Sequence, residues 1–100
     1  MVSDGIKYAD IICRYYGSRM KSGRPEWSAE HHNTLSEADT AAIEKMLEEL
    51  PDEDQQLFRM KYVDRLTYVQ IEGRLPMSSS TAQRRVTAML RILADKLNRH

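Results

Sequence analysis

Within one short stretch, Ser79, Ser80, Gln83 and Arg84 bring together two hydroxyls, an amide and a guanidinium. An amide sets a donor beside an acceptor, which fits the edge of adenine. A guanidinium sets two donors in parallel, which fit guanine. Small hydroxyl side chains next to them let a backbone approach such an edge closely. Arg85 and Arg91 lie nearer the flank, where a cation meets phosphate oxygens more readily than bases. The chemistry on offer is recognition of polar edges and anions. The same residues also fit an ordinary surface, since a serine cluster caps helices and an exposed arginine is usually just solvated.

Bond-making chemistry has less support. Cys13 is the single cysteine, so it forms no internal disulfide and suits a small buried position. Pairing it with His31 or His32 as nucleophile and base leaves no third group to orient the base and no oxyanion donor. The two histidines are adjacent, so their side chains diverge, and no further ligand cluster follows to complete a metal site. Trp27, close to Pro25, reads as an anchor for a loop. No enzymatic activity, metal or cofactor is expected.

For the polar residues to act together, regular structure must present them. Ala82, Val86, Met89, Leu90, Leu93 and Leu97 recur at helical intervals and predict a helix from Ser79 or Ser80 toward Asn98. Ser79, Ser80, Gln83 and Arg84 are then expected on its outer face. Just upstream, Thr67 and Gln70 form a Thr-x-x-Gln capping box. Tyr68, Ile71 and Leu75 give the inner face of a helix of barely two turns, closed by Pro76. A short capped helix, a polar turn and a longer basic helix make the helix-turn-helix pattern, in which the second helix lies in the major groove.

Earlier elements follow the same logic. Ser36 opens a helix with a Ser-x-x-Asp cap, Ile43, Met46, Leu47 and Leu50 form its stripe, and Pro51 stops it. Asp52, Glu53 and Asp54 mark the start of a short helix that carries Leu57, Phe58, Met60 and Tyr62. An N-terminal helix runs from about Asp4, its expected cap, to Met20, and a loop containing Gly23 and Pro25 follows. Nothing reads as a strand. The expected class is all-α, a small helical domain with an N-terminal helix and loop over 1–33 and the helix-turn-helix domain over 34–100.

Length and composition, 100 residues with 41% hydrophobic, suit one small folded domain. Net charge is zero, yet it is unevenly spread. Residues 34–58 hold eight acidic side chains and one basic, a balance of −7, whereas residues 81–100 hold five basic and one acidic, a balance of +4. One end of a neutral protein can thereby approach phosphates while the other faces something else. No apolar run reaches the length of a membrane span and no signal sequence opens the chain, so a cytoplasmic location is expected.

The register of these residues resembles region 4 of bacterial sigma-70-type factors. Leu50-Pro51, Met60-Lys61-Tyr62, Leu66-Thr67-Tyr68, Ile71, Leu75, Ser78, Thr81, Met89-Leu90 and Leu93 fall in the family's pattern without gaps. The resemblance implies that Ser79, Ser80, Gln83 and Arg84 read the bases of a promoter element. It also implies that Lys61 and Thr67 join Arg85 and Arg91 at the DNA backbone. Such domains dock on the flap of the RNA polymerase β subunit through apolar surface, for which Leu47, Leu57, Phe58 and Tyr62 are the candidates. Two positions depart from the pattern. Glu72 stands where the family has a small residue, so its carboxylate must lean outward or meet a partner such as Arg85. Pro76 replaces the usual turn glycine and cannot take positive φ.

With about fifty residues before the matching half, the chain has no room for a promoter-melting domain. The expectation is a small phage or prophage transcription regulator, in the company of the ArpU-type and Q-class antitermination proteins. Double-stranded DNA and RNA polymerase, through its β flap or a sigma factor, are the expected partners. A competing reading makes the chain a protein-interaction factor with little DNA binding of its own, working through the acidic segment from Glu37 to Asp54. The N-terminal helix could cover the core, hold a partner, or form a homodimer through Ile11, Ile12, Tyr15 and Tyr16.

Overall fold

Short-range hydroxyl caps set where three of the helices begin. Ser36 Oγ accepts the Asp39 N–H at 3.0 Å, Thr67 Oγ1 accepts the Gln70 N–H at 3.2 Å, and Ser78 Oγ accepts the Thr81 N–H at 3.1 Å. Each satisfies one of the amides that a helix start leaves unpaired. At Thr67 the box is reciprocal, because Gln70 Oε1 accepts the Thr67 N–H at 2.8 Å. The computed structural model describes residues 4–22 and 35–98. Across them run α1 (Asp4–Ser22), α2 (Glu37–Glu49), α3 (Asp52–Phe58), a π-helical turn (Arg59–Val63), α4 (Tyr68–Glu72) and α5 (Ser79–Lys96). No strand occurs among the described residues. Asp4 is the first residue of α1 rather than a cap standing before it. The 33/34 division, Trp27, His31 and His32 lie outside the described residues.

α5 is the hub and touches α1, α2, α3 and α4. Its inward stripe is Ala82, Val86, Met89, Leu90, Leu93 and Ala94. Ile43 and Met46 of α2, Leu57 and Phe58 of α3, Ile71 of α4 and Leu75 close over that stripe. Ala9, Ile12, Cys13 and Tyr16 of α1 join the same cluster, so the N-terminal helix completes the core. This corrects half of the expected dimer surface. Ile12 and Tyr16 point inward, while Ile11 is 45% exposed and Tyr15 half-buried.

α1 is fastened by shape and by polar links. A Cβ on Gly17 would overlap the Tyr62 carbonyl oxygen and lie 2.5 Å from its carbon, so only glycine lets the helix approach the π-helical turn this closely. Tyr62 Oη donates to Asp10 Oδ1 at 2.8 Å, and Tyr8 Oη donates to Asp39 Oδ2 at 2.5 Å. Asp39 is the buried carboxylate of the described core, and its place in the first turn of α2 also suits its charge. At the far end of α2, Lys96 Nζ stands 2.7 Å from Glu49 Oε1 and holds that carboxyl below its usual range.

The π-helical turn sets the phase of everything after it. The Asp64 N–H bonds to the Arg59 carbonyl at 2.9 Å, one residue further back than in an α-helix. Buried pairs therefore recur five residues apart, Leu57-Phe58 and then Tyr62-Val63. Arg65 follows in the left-handed region at φ 58, and the chain turns into α4. Beyond α4, Met77 N–H bonds to the Leu75 carbonyl at 2.7 Å across Pro76. This tight three-residue turn needs no left-handed residue, which is how proline serves where a glycine is usual.

Candidate nucleic-acid interface

The polar face of α5 is an open groove lined by Ser80, Gln83, Arg84, Thr87, Ala88 and Arg91. It exists because the buried stripe occupies the other side of the helix. Ser80, Gln83, Arg84 and Arg91 are exposed, and neither arginine forms an ion pair within the described residues. Thr87 Oγ1 donates back to the Gln83 carbonyl at 3.0 Å, which fixes the side chain. The small side chain of Ala88 leaves depth between the two arginines. Thr87 and Ala88 were absent from the expected reading set, although their spacing of seven and eight residues from Ser80 places them on the same face.

Ser79 behaves differently from the expectation. It stands two helical turns before Val86, on the inward side, and is half-buried. Its backbone N–H donates to Glu72 Oε1 at 2.7 Å. Glu72 therefore has a partner, but it is the start of α5 and not Arg85. The carboxylate caps the reading helix, satisfies an amide that Ser78 cannot reach, and puts a negative charge beside the groove.

Arg85 is the second correction. It turns away from Arg84 toward the acidic start of α3, where its Nη1 lies 2.5 Å from Glu53 Oε1 and 3.3 Å from Asp54 Oδ1. Its guanidinium ties α5 to α3, in place of the free cation expected for the DNA backbone. Lys61 stays on the surface side of the π-helical turn, with its ammonium 4.7 Å from the centre of the Tyr68 ring. Thr67 is exposed at the start of α4, and its Oγ1 accepts the Gln70 N–H in the capping box, a bond that does not use its own proton.

The apolar candidates for a polymerase surface divide the same way. Leu57, Phe58 and Tyr62 are buried, at 0%, 2% and 3% exposure, so they belong to the core rather than to an exposed apolar surface. Phe58 packs at 5.0 Å from Tyr62 and at 6.2 Å edge-on to Tyr16, which explains the demand for aromatic rings there. Leu47 alone of the four is accessible. It lines a shallow apolar groove together with Met20, Gln55, Phe58, Arg59 and Val63.

The described residues offer little to bond-making chemistry. Burial, reinforced by Asp10, pushes the Cys13 thiol far above its ordinary value, so no thiolate forms near neutral pH. No group of three or more metal-binding side chains is gathered among the described residues, and no helix there is long and apolar enough to cross a membrane.

Comparison with known proteins agrees with this geometry. Residues 40–92, from the first turn of α2 to the last turns of α5, match the family described as Sigma-70, region 4. No curated protein and no solved structure matches the chain. The matched span holds the capped α4, the proline turn and the reading face of α5 in one register. The chain therefore belongs to the sigma-70 region 4 family of helix-turn-helix domains, which bind DNA in transcription regulation.

Proposed function

We propose that this protein is a transcription regulator whose α5 reads promoter DNA in the major groove while RNA polymerase helps to place it. Gln83 and Arg84 read base edges, and Ser80 lets the backbone approach. Arg91, Lys61 and Thr67 hold the flanking phosphates. Ser79 contributes through the helix start rather than through its hydroxyl. The observation that carries the reading is the α5 groove, where two uncompensated guanidinium groups flank an amide on a face the core leaves open.

The need for polymerase follows from how small this reading set is. One of four expected base readers is half-buried, one expected phosphate contact is tied to α3, and Glu72 adds a repelling charge. Leu47 and the shallow groove around it are the surface for the β flap or a sigma factor. Residues 34–100 form the reading unit and residues 1–33 supply the helix that seals it. We place the protein with the phage and prophage regulators of the ArpU and Q-class kinds, on the resemblance of its helix-turn-helix. Selection of bound duplexes from a random pool, with and without RNA polymerase, tests the proposal. Recovery of a shared motif, sharper with polymerase, is expected. No motif under either condition overturns it in favour of an interaction factor that works through the acidic face of α2 and α3.

A further inference from the structure

Arg14, Lys61, Tyr62 and Arg65 line a surface cavity where α1 meets the π-helical turn and the loop into α4. Three cations converge there from three separate pieces of chain. Each is fixed by a different means. Arg14 Nη2 lies 2.8 Å from Asp10 Oδ2, Lys61 rests over the Tyr68 ring, and Arg65 donates to the Ser18 hydroxyl. Asp10 is the single carboxylate bonded to the cluster among the described residues, and its other oxygen already accepts the Tyr62 phenol. Three positive charges against one negative leave the cavity at +2. Asp64 is exposed beside it but does not line it.

Arg65 adds an observation of its own. Its φ of 58 places it where a chain leaving a helix normally uses glycine. Arginine pays a conformational penalty there that glycine would avoid, so its side chain is kept for something other than the turn. We infer that this cavity holds a phosphate of the DNA backbone beside the α5 footprint, with Arg14 of α1 completing a clamp begun by Lys61 and Arg65. The inference rests on the DNA-reading function proposed above, and it extends that surface to a helix outside residues 40–92. A free nucleotide fits less well. Tyr62, the aromatic residue of the lining, is 3% exposed and its hydroxyl is committed to Asp10, so it offers no face for a base.

The test uses the full chain and a double variant, Arg14→Gln with Arg65→Gly, on a random-sequence duplex across a salt series. Losing one phosphate contact lowers the slope of log affinity against log salt by about 0.9, so a drop of about that size is expected, alike for all sequences. Arg65→Gly suits the left-handed backbone, so the melting temperature should not fall and a lost slope cannot be blamed on unfolding. An unchanged slope with intact wild-type binding overturns the clamp and leaves the function standing. A wild type that ignores duplex DNA overturns both. In a parallel arm, inorganic pyrophosphate is titrated while the amides of residues 61–66 are followed by NMR. Saturable binding lost in the variant, alongside an unchanged duplex slope, moves the cavity to a free phosphate ligand and overturns the DNA assignment.

Discussion

The junction of α1 with the π-helical turn and the outer face of α5 are built on opposite terms. Inside the junction the buried groups are committed to the fold: Gly17 lies against the Tyr62 backbone, Tyr62 is bonded to Asp10, and Asp10 also holds Arg14. On the α5 face the groups are withheld from the fold, with Gln83, Arg84 and Arg91 exposed and Ala88 leaving room between them. Arg84 and Arg85 show the contrast within two residues. One is open to a ligand and the other is bound to Glu53 and Asp54. A small domain can leave one face uncommitted because its buried groups elsewhere are tightly joined. Changes to the buried groups of the junction should therefore cost stability, and changes on the α5 face should cost DNA binding, with little exchange between them.

The largest effect is expected from Gly17→Ala. Its methyl meets backbone rather than a movable side chain, so α1 must lift away. The loss should be about 3 kcal/mol, reduced by roughly 1 kcal/mol of gained helix propensity, and visible as a lower midpoint in urea. An unchanged midpoint would show that α1 is not seated as described. Next comes Arg84→Ala, which should weaken binding to a selected duplex by about 2 kcal/mol and leave the midpoint within about 0.5 kcal/mol. Equal losses in both measurements would erase the distinction between the two regions.

Tyr62→Phe should cost about 1 kcal/mol through the lost hydrogen bond, with duplex affinity preserved. It also carries a pH signature. Burial raises the Tyr62 phenol far above its ordinary value of 10.0, with Asp10 adding to the effect. Its contribution is complete below pH 10.0 and is lost as the pH climbs beyond it, because the unfolded phenol ionises first. The variant should show a shallower decline, the remainder coming from Tyr16 and Tyr68, which burial raises likewise. An identical alkaline decline in both proteins would place the cause elsewhere. The smallest effect belongs to Glu72→Gln. Removing the charge at the start of α5 should cost about 0.5 kcal/mol of stability and tighten duplex binding at low salt only. Weaker binding at low salt would mean that Glu72 positions α5 rather than opposing DNA.

What could be read in the sequence was what acts over three or four residues. Ser36, Thr67 with Gln70, and Ser78 begin helices where their spacing says they should, and the α5 stripe follows its periodicity to Leu93. The misreadings involve groups whose partners are far away or out of phase. Nothing local in the sequence marks Gly17, whose need comes from the Tyr62 carbonyl beside it. Glu72, expected to lean outward or to meet a cation such as Arg85, is exposed and meets the Ser79 amide instead. Leu57, Phe58 and Tyr62 were candidates for a partner surface on the family resemblance, but all three lie in the core.

The π-helical turn makes the aim of the domain a matter of counting. One residue corresponds to about 100° of helical rotation, so a single deletion between Arg59 and Val63 would restore regular winding while swinging α4 and α5 together about the axis of α3. The reading helix would keep every side chain and lose its bearing relative to α1. Orientation here is stored as chain length, a quantity that point substitutions leave untouched and that insertions and deletions can reset in one step.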